Sequence, residues 1–128
     1  MTGTHHPDGH RGHYFGTEID GSWWRRYRQD GFFAQGRGRY WFDDQAFYFQ
    51  KTLTREPMVI PLRKVVAFEV GRWHAGQWGA FAPVMKIIWK KDGQRLGSGF
   101  AVARSREGVQ MLIDELLRLK GGQVPVRG

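Results

Sequence analysis

The chain has 128 residues and a net charge of +8, with six tryptophans, four tyrosines, nine phenylalanines and no cysteine. That length suits one domain with a real core, and the aromatic content excludes a disordered polymer of the low-hydrophobicity kind. Without cysteine there is no disulfide framework, thiolate zinc site or cysteine nucleophile. Residues 1–21 hold few apolar side chains and five glycines, and read as a flexible arm. The arm lacks the apolar stretch of a secretory signal, so a cytoplasmic protein is expected. His5, His6, His10 and His13 cluster there, but a mobile glycine-rich arm does not fix ligand geometry, and no metal site is expected.

The domain is expected over residues 22–120, followed by a flexible tail at residues 121–128, where Gly121, Gly122, Pro125 and Gly128 oppose regular structure. Near its start stands Trp23-Trp24-Arg25-Arg26-Tyr27-Arg28. Aromatics interleaved with arginines suit nucleic acid, by stacking on bases, or an anionic membrane, with rings at headgroup depth. The plainer reading packs the tryptophans on the domain and leaves the arginines solvated. Residues 39–42 form an aromatic strand, Asp43-Asp44-Gln45 a tight turn, and residues 46–51 the returning strand. Residues 58–60 make a short strand between Pro57 and Pro61. Residues 65–70 alternate, with Val66, Phe68 and Val70 on one face and Glu69 on the other.

Residues 84–90 repeat that alternation, Met85, Ile87 and Trp89 facing one way and Lys86 and Lys90 the other. Lys91-Asp92-Gly93-Gln94 carries the Asp-Gly signal of a two-residue hairpin into residues 95–103. There Leu96, Phe100 and Val102 share one parity, while Gly97, Gly99, Ala101 and Ala103 keep the other open to close approach. The period then changes. Ser105 is placed to cap a helix whose apolar stripe is Val109, Leu112, Ile113, Leu116 and Leu119. Glu107 and the pair Arg118 and Lys120 suit its dipole, and Gly121 ends it. An isolated helix of this length is marginal in water, so the stripe must dock on the sheet.

Six antiparallel strands and a terminal helix describe a mainly β fold. The stretch Gly38-Arg39-Tyr40-Trp41-Phe42-Asp43-Asp44-Gln45-Ala46-Phe47-Tyr48-Phe49, then Val59-Ile60-Pro61-Leu62 and Val65-Val66-Ala67-Phe68-Glu69-Val70, resembles the bacterial pleckstrin-homology-like and GRAM-like domains. The resemblance implies a partly open antiparallel barrel of six or seven strands, capped by the C-terminal helix. The family has seven strands, so one more is expected, within residues 23–28 or 71–83. Lipid-binding members would show basic residues flanking the first hairpin turn. Here that turn reads Asp43-Asp44-Gln45, whose carboxylates would repel a phosphorylated inositol, leaving nonspecific attraction through Arg37, Arg39, Lys86, Lys90 and Lys91.

The connection over residues 71–83 is rich in glycine and carries Arg72, Trp73, His74, Trp78 and Phe81. Long connections in compact domains are often functional, and Trp and Arg are enriched at interface hot spots. The plainer reading folds these rings back as core. No nucleophile elbow, metalloprotease helix, phosphate loop or dinucleotide fingerprint occurs. The leading expectation is therefore a non-catalytic adaptor without cofactor, self-associating or docking a protein through Arg72, Trp73, His74, Trp78 and Phe81. The alternatives are an anionic membrane surface met by Trp23, Trp24, Arg25, Arg26 and Arg28, and, behind it, single-stranded nucleic acid.

Overall fold

Alternation and turn chemistry place most of the strands. The computed structural model describes residues 9–20, 36–71 and 83–128 in full, and the backbone alone of residues 22–26, 73–74 and 77–78. The elements are β1 (His10–Ile19), β2 (Ser22–Arg26), β3 (Gly36–Phe42), β4 (Ala46–Lys51), β5 (Met58–Pro61), β6 (Val65–Gly71), β7 (Trp73–His74), β8 (Gln77–Trp78), β9 (Val84–Lys91), β10 (Gln94–Ala101), α1 (Arg106–Lys120) and β11 (Val126–Arg127). A 3-10 turn, Leu62–Lys64, joins β5 to β6. The main sheet runs β11-β6-β9-β10-β1-β3-β4-β5, with β2 beside β1, and β7 and β8 pair separately.

The mainly β architecture with a single C-terminal helix is as expected, and two of its details differ. The sheet stays open rather than closing into a barrel, with β5 and β11 as its two ends, and the parallel β11–β6 pair makes it mixed. Nor is the N-terminal region an arm throughout: residues 10–19 are β1, hydrogen-bonded to β10 on one side and β3 on the other. The antiparallel run β6-β9-β10-β1-β3-β4-β5 thus holds seven strands. The additional member of that run comes from residues 10–19, while the two segments where one was expected also carry strands, β2 beside β1 and the β7–β8 pair.

Tyr14 anchors β1 because its buried ring packs against Phe49 and Phe100, with centroids 6.0 and 5.2 Å apart. Gly12 makes room for this packing. A β-carbon there would lie 3.2 Å from the Tyr40 ring and 3.0 Å from the Ala101 carbonyl oxygen. Between Tyr14 and Gly16 the register with β10 shifts, and Gly16 has a φ of 108° that side chains disfavour. Such a bulge bends its strand and reverses the parity beyond it. Thr17 thereby turns inward, where its hydroxyl bonds the Tyr14 hydroxyl and lies 2.7 Å from Ser98 Oγ. The Trp89 indole donates to the same Ser98 oxygen at 3.0 Å. This buried polar chain ties β1, β10 and β9 together.

The turns and helix follow their local chemistry. Asp43 Oδ1 accepts from the amides of Gln45 and Ala46 at 2.8 and 2.9 Å. Asp92 and Gly93 take the left-handed φ values, 52° and 79°, of the two-residue hairpin. Ser105 Oγ accepts from the Gly108 amide at 3.0 Å, and Gly121 closes α1 at φ 79° with its amide on the Leu117 carbonyl. The helix sends Val109, Ile113 and Leu116 into the core, with Leu112 and Leu119 partly buried against it. It lies against β6 and the 3-10 turn, where the Lys120 ammonium donates to the Leu62 carbonyl at 3.1 Å.

Two local details depart from simple alternation. A register shift between Val65 and Ala67 sends Val65, not Val66, to the inner face with Phe68 and Val70. The C-terminal tail is also partly ordered by pairing: the Phe68 amide bonds the Pro125 carbonyl at 2.9 Å, and Arg106 donates to the Gly128 carbonyl. For the polar chain we expect Ser98→Ala to cost about 1–3 kcal/mol by stranding the Trp89 indole N–H and removing the partner of the Thr17 hydroxyl. Urea unfolding checks this through a lowered midpoint at unchanged slope.

Candidate anion-binding face

Strand alternation sends one residue of each adjacent pair to the core and the other away. On β1 the core side before the bulge carries His10, Gly12 and Tyr14, so Arg11 and His13 face outward. On β3 Tyr40 enters the core, so Arg37, Arg39 and Trp41 share that outer face. The register places Arg11 opposite Arg39 and His13 opposite Arg37. Arg11, Arg37 and Arg39 are exposed and His13 is half-buried. Among the described residues no ion pair engages Arg11, Arg37, Lys51 or Arg55. Such a cluster sustains a positive potential over its own surface.

The neighbouring hairpin is polarised along its length. Lys51 ends β4 beside the start of β3, where the Thr52 amide donates to the Arg37 carbonyl at 2.9 Å. Asp43 and Asp44 sit at the opposite, turn end. There Asp43 Oδ2 accepts from the Tyr48 hydroxyl at 3.0 Å, and Tyr48 stacks on Trp41 with centroids 5.4 Å apart. Burial first, and then the Asp43 hydrogen bond, push the Tyr48 phenol above its ordinary range. The acidic turn thus lies at the far end of the hairpin from Arg37.

Lys86 leaves the pool of available cations. Its ammonium contacts Glu18 Oε1 at 2.6 Å and Glu69 Oε1 at 3.6 Å, with the Glu18 side chain only 3% exposed. Glu18 on β1 and Lys86 on β9 are separated by β10, and Gly97 lets them meet. A β-carbon at Gly97 would lie 3.2 Å from Lys86 Cδ and 3.3 Å from the Glu18 carboxylate. The small parity of β10 therefore admits an ion pair. Lys90 and Lys91 stand exposed at the β9–β10 turn.

β1 precedes the acidic turn in the antiparallel run. The β3–β4 hairpin is the second step of the antiparallel run, and the first connection spans residues 20–35. Trp23, Trp24, Arg25 and Arg26 occupy β2 within it, where Ser22 pairs with Ile19 and Arg26 with Glu18. Their side chains, and Arg28 altogether, lie outside the described residues. Trp73 and His74 form β7 and pair with Trp78 and Gln77 of β8, Trp73 directly across from Trp78. The ribbon runs alongside β9. The side chains of Trp73, His74 and Trp78 lie outside the described residues, as do Arg72 and Phe81. Of the histidines, His10 meets the Tyr40 ring at 5.1 Å while His13 is on the other face of β1; His5 and His6 lie outside the described residues. No helix among the described residues is long and apolar enough to cross a membrane.

Comparison with known proteins locates the fold. No family model and no curated protein matches the sequence. Among solved structures, the chain is similar to the hSac2 domain from human phosphoinositide phosphatase Sac2, with a TM-score of 0.56 at 12% identity. The likeness covers 91% of this chain and 77% of that one. At that identity it speaks for a shared β-sheet fold.

Burial, followed by the charge of Arg37, holds the His13 imidazole below its ordinary value of 6.5. The unfolded chain therefore takes up this proton first as pH falls below 6.5, and the folded state loses stability there. We expect His13→Asn to flatten that acid-side fall, as read from melting temperature against pH.

Proposed function

We propose that the chain is a non-catalytic, pleckstrin-homology-like module that docks on anionic membrane surfaces through the outer face of β1 and β3. The observation carrying this reading is the cross-strand register that sets Arg11 beside Arg39 and His13 beside Arg37. The seven-strand antiparallel run with one terminal helix supports the kinship. The placement of the acidic turn away from Arg37 removes the repulsion that argued against phosphate-bearing lipid. The first connection carries Arg25, Arg26 and Arg28 in its sequence, which adds to the positive charge of the chain as a whole. Anionic lipid is concentrated on the cytoplasmic leaflet, which is where this reading puts the chain.

A second reading rests on a separate observation. Trp73 and Trp78 occupy facing positions on a two-stranded ribbon outside the main sheet, which favours self-association or protein docking there. Light scattering separates it from the first: a mass that falls on Trp78→Ala supports docking through the ribbon. Cosedimentation with phosphatidylserine vesicles tests the leading reading. Each basic residue near such a surface contributes about 1 kcal/mol, so Arg11→Gln/Arg37→Gln is expected to weaken binding about thirtyfold. Wild-type binding should fall with salt. Absence of binding at low ionic strength, or equal binding by the double variant, overturns this reading. Tighter binding to single-stranded oligonucleotide than to vesicles would favour nucleic acid instead.

A further inference from the structure

The turn between β4 and β5 breaks a local rule without an evident gain to the fold. The Thr54 amide donates to the Lys51 carbonyl at 3.1 Å, which makes residues 51–54 a tight turn with Leu53 at its third position. Leu53 has a φ of 70°, a conformation that turn chemistry reserves for glycine or asparagine and that is a genuine outlier for a bulky residue. It is also 100% exposed, so no packing in the folded chain offsets the strain. The surrounding turn is firmly built. The Thr54 hydroxyl donates to the Lys51 carbonyl at 2.6 Å, and the Gln50 side-chain Nε2 donates to the Thr54 and Arg55 carbonyls at 2.9 and 3.0 Å. Strain held in place by its surroundings tends to mark working sites.

The charge around this tip is the second observation. Lys51 and Arg55 flank Leu53, Glu56 is the single acid of the turn, and the Thr52 amide bonds the backbone of Arg37. An apolar tip collared by cations matches an anionic bilayer, whose headgroups meet the collar while the hydrocarbon boundary takes the leucine. A protein groove would need a larger apolar contact than one side chain provides. The geometry points to Leu53 as a membrane-inserting tip that anchors the chain on anionic lipid and orients the Arg11–Arg39 face toward it. This inference rests on the membrane reading above.

The test exploits the absence of cysteine. Leu53→Cys provides a unique position for an environment-sensitive fluorophore, read against phosphatidylcholine vesicles with and without phosphatidylserine. We expect a blue shift, and quenching by brominated acyl chains, with the anionic vesicles only. Leu53→Gly separates anchoring from folding, since glycine relieves the left-handed strain. It should leave the melting temperature unchanged or higher yet weaken binding about tenfold, the scale expected from losing one buried leucine. An unshifted, unquenched label on a chain that still sediments with vesicles overturns this inference alone. So does a shift produced equally by a soluble polyanion. Failure of the wild-type chain to sediment at low salt overturns the membrane reading and this inference together.

Discussion

The rest of the structure depends on one strand lying between two others. β1 uses both of its backbone edges, one for β3 and one for β10, and without it the sheet would divide into β11-β6-β9-β10 on one side and β3-β4-β5 on the other. Each half would then expose a hydrophobic face and a row of unpaired backbone groups, which is costly in the interior and hazardous at an edge. The bulge at residues 14–16 lets a single strand serve both neighbours. It also brings Thr17 inward to meet Ser98, and a buried hydroxyl chain of this kind discriminates strongly against a slipped register, because a slip leaves every member unsatisfied.

The same strand assembles the candidate site. Arg11 and His13 face outward because Gly12 and Tyr14 face inward, and they meet Arg37 and Arg39 only through the register of β1 with β3. Meanwhile Glu18, beyond the bulge, draws Lys86 into a buried pair across Gly97. One cation is thereby consumed in holding β1 to β9, while the basic groups at the other end of the strand stay at the surface. Positive charge on this chain is therefore sorted by topology, and composition alone does not describe it.

Much of the fold was legible from local chemistry. The Asp43 turn, the Asp-Gly hairpin, the Ser105 cap, the Gly121 stop and the alternation of β9 and β10 each have a cause confined to a few residues. β1 was not legible for three physical reasons. Its outward positions mix Arg11, His13 and Glu18 with Phe15, its inward positions include Gly12 and Thr17, and the bulge breaks the two-residue period between Tyr14 and Thr17. The one available signal was that Tyr14 and Ile19 share a face if a single residue is inserted between them. Missing β1 displaced the hairpin count by one and made the acidic turn look like the first. The cross-strand basic cluster was hidden for the same reason, since pairing between residues 11 and 39 belongs to tertiary structure. The Val66 expectation failed similarly, through the bulge at residues 65–67.

Amide hydrogen exchange of residues 11–19 is the most direct test of this organisation. If β1 is the central strand, its paired amides exchange only through opening of the whole sheet, with protection matching that of β9 and β10. Exchange at the rate of an unstructured peptide, with β9 and β10 still protected, would contradict the account.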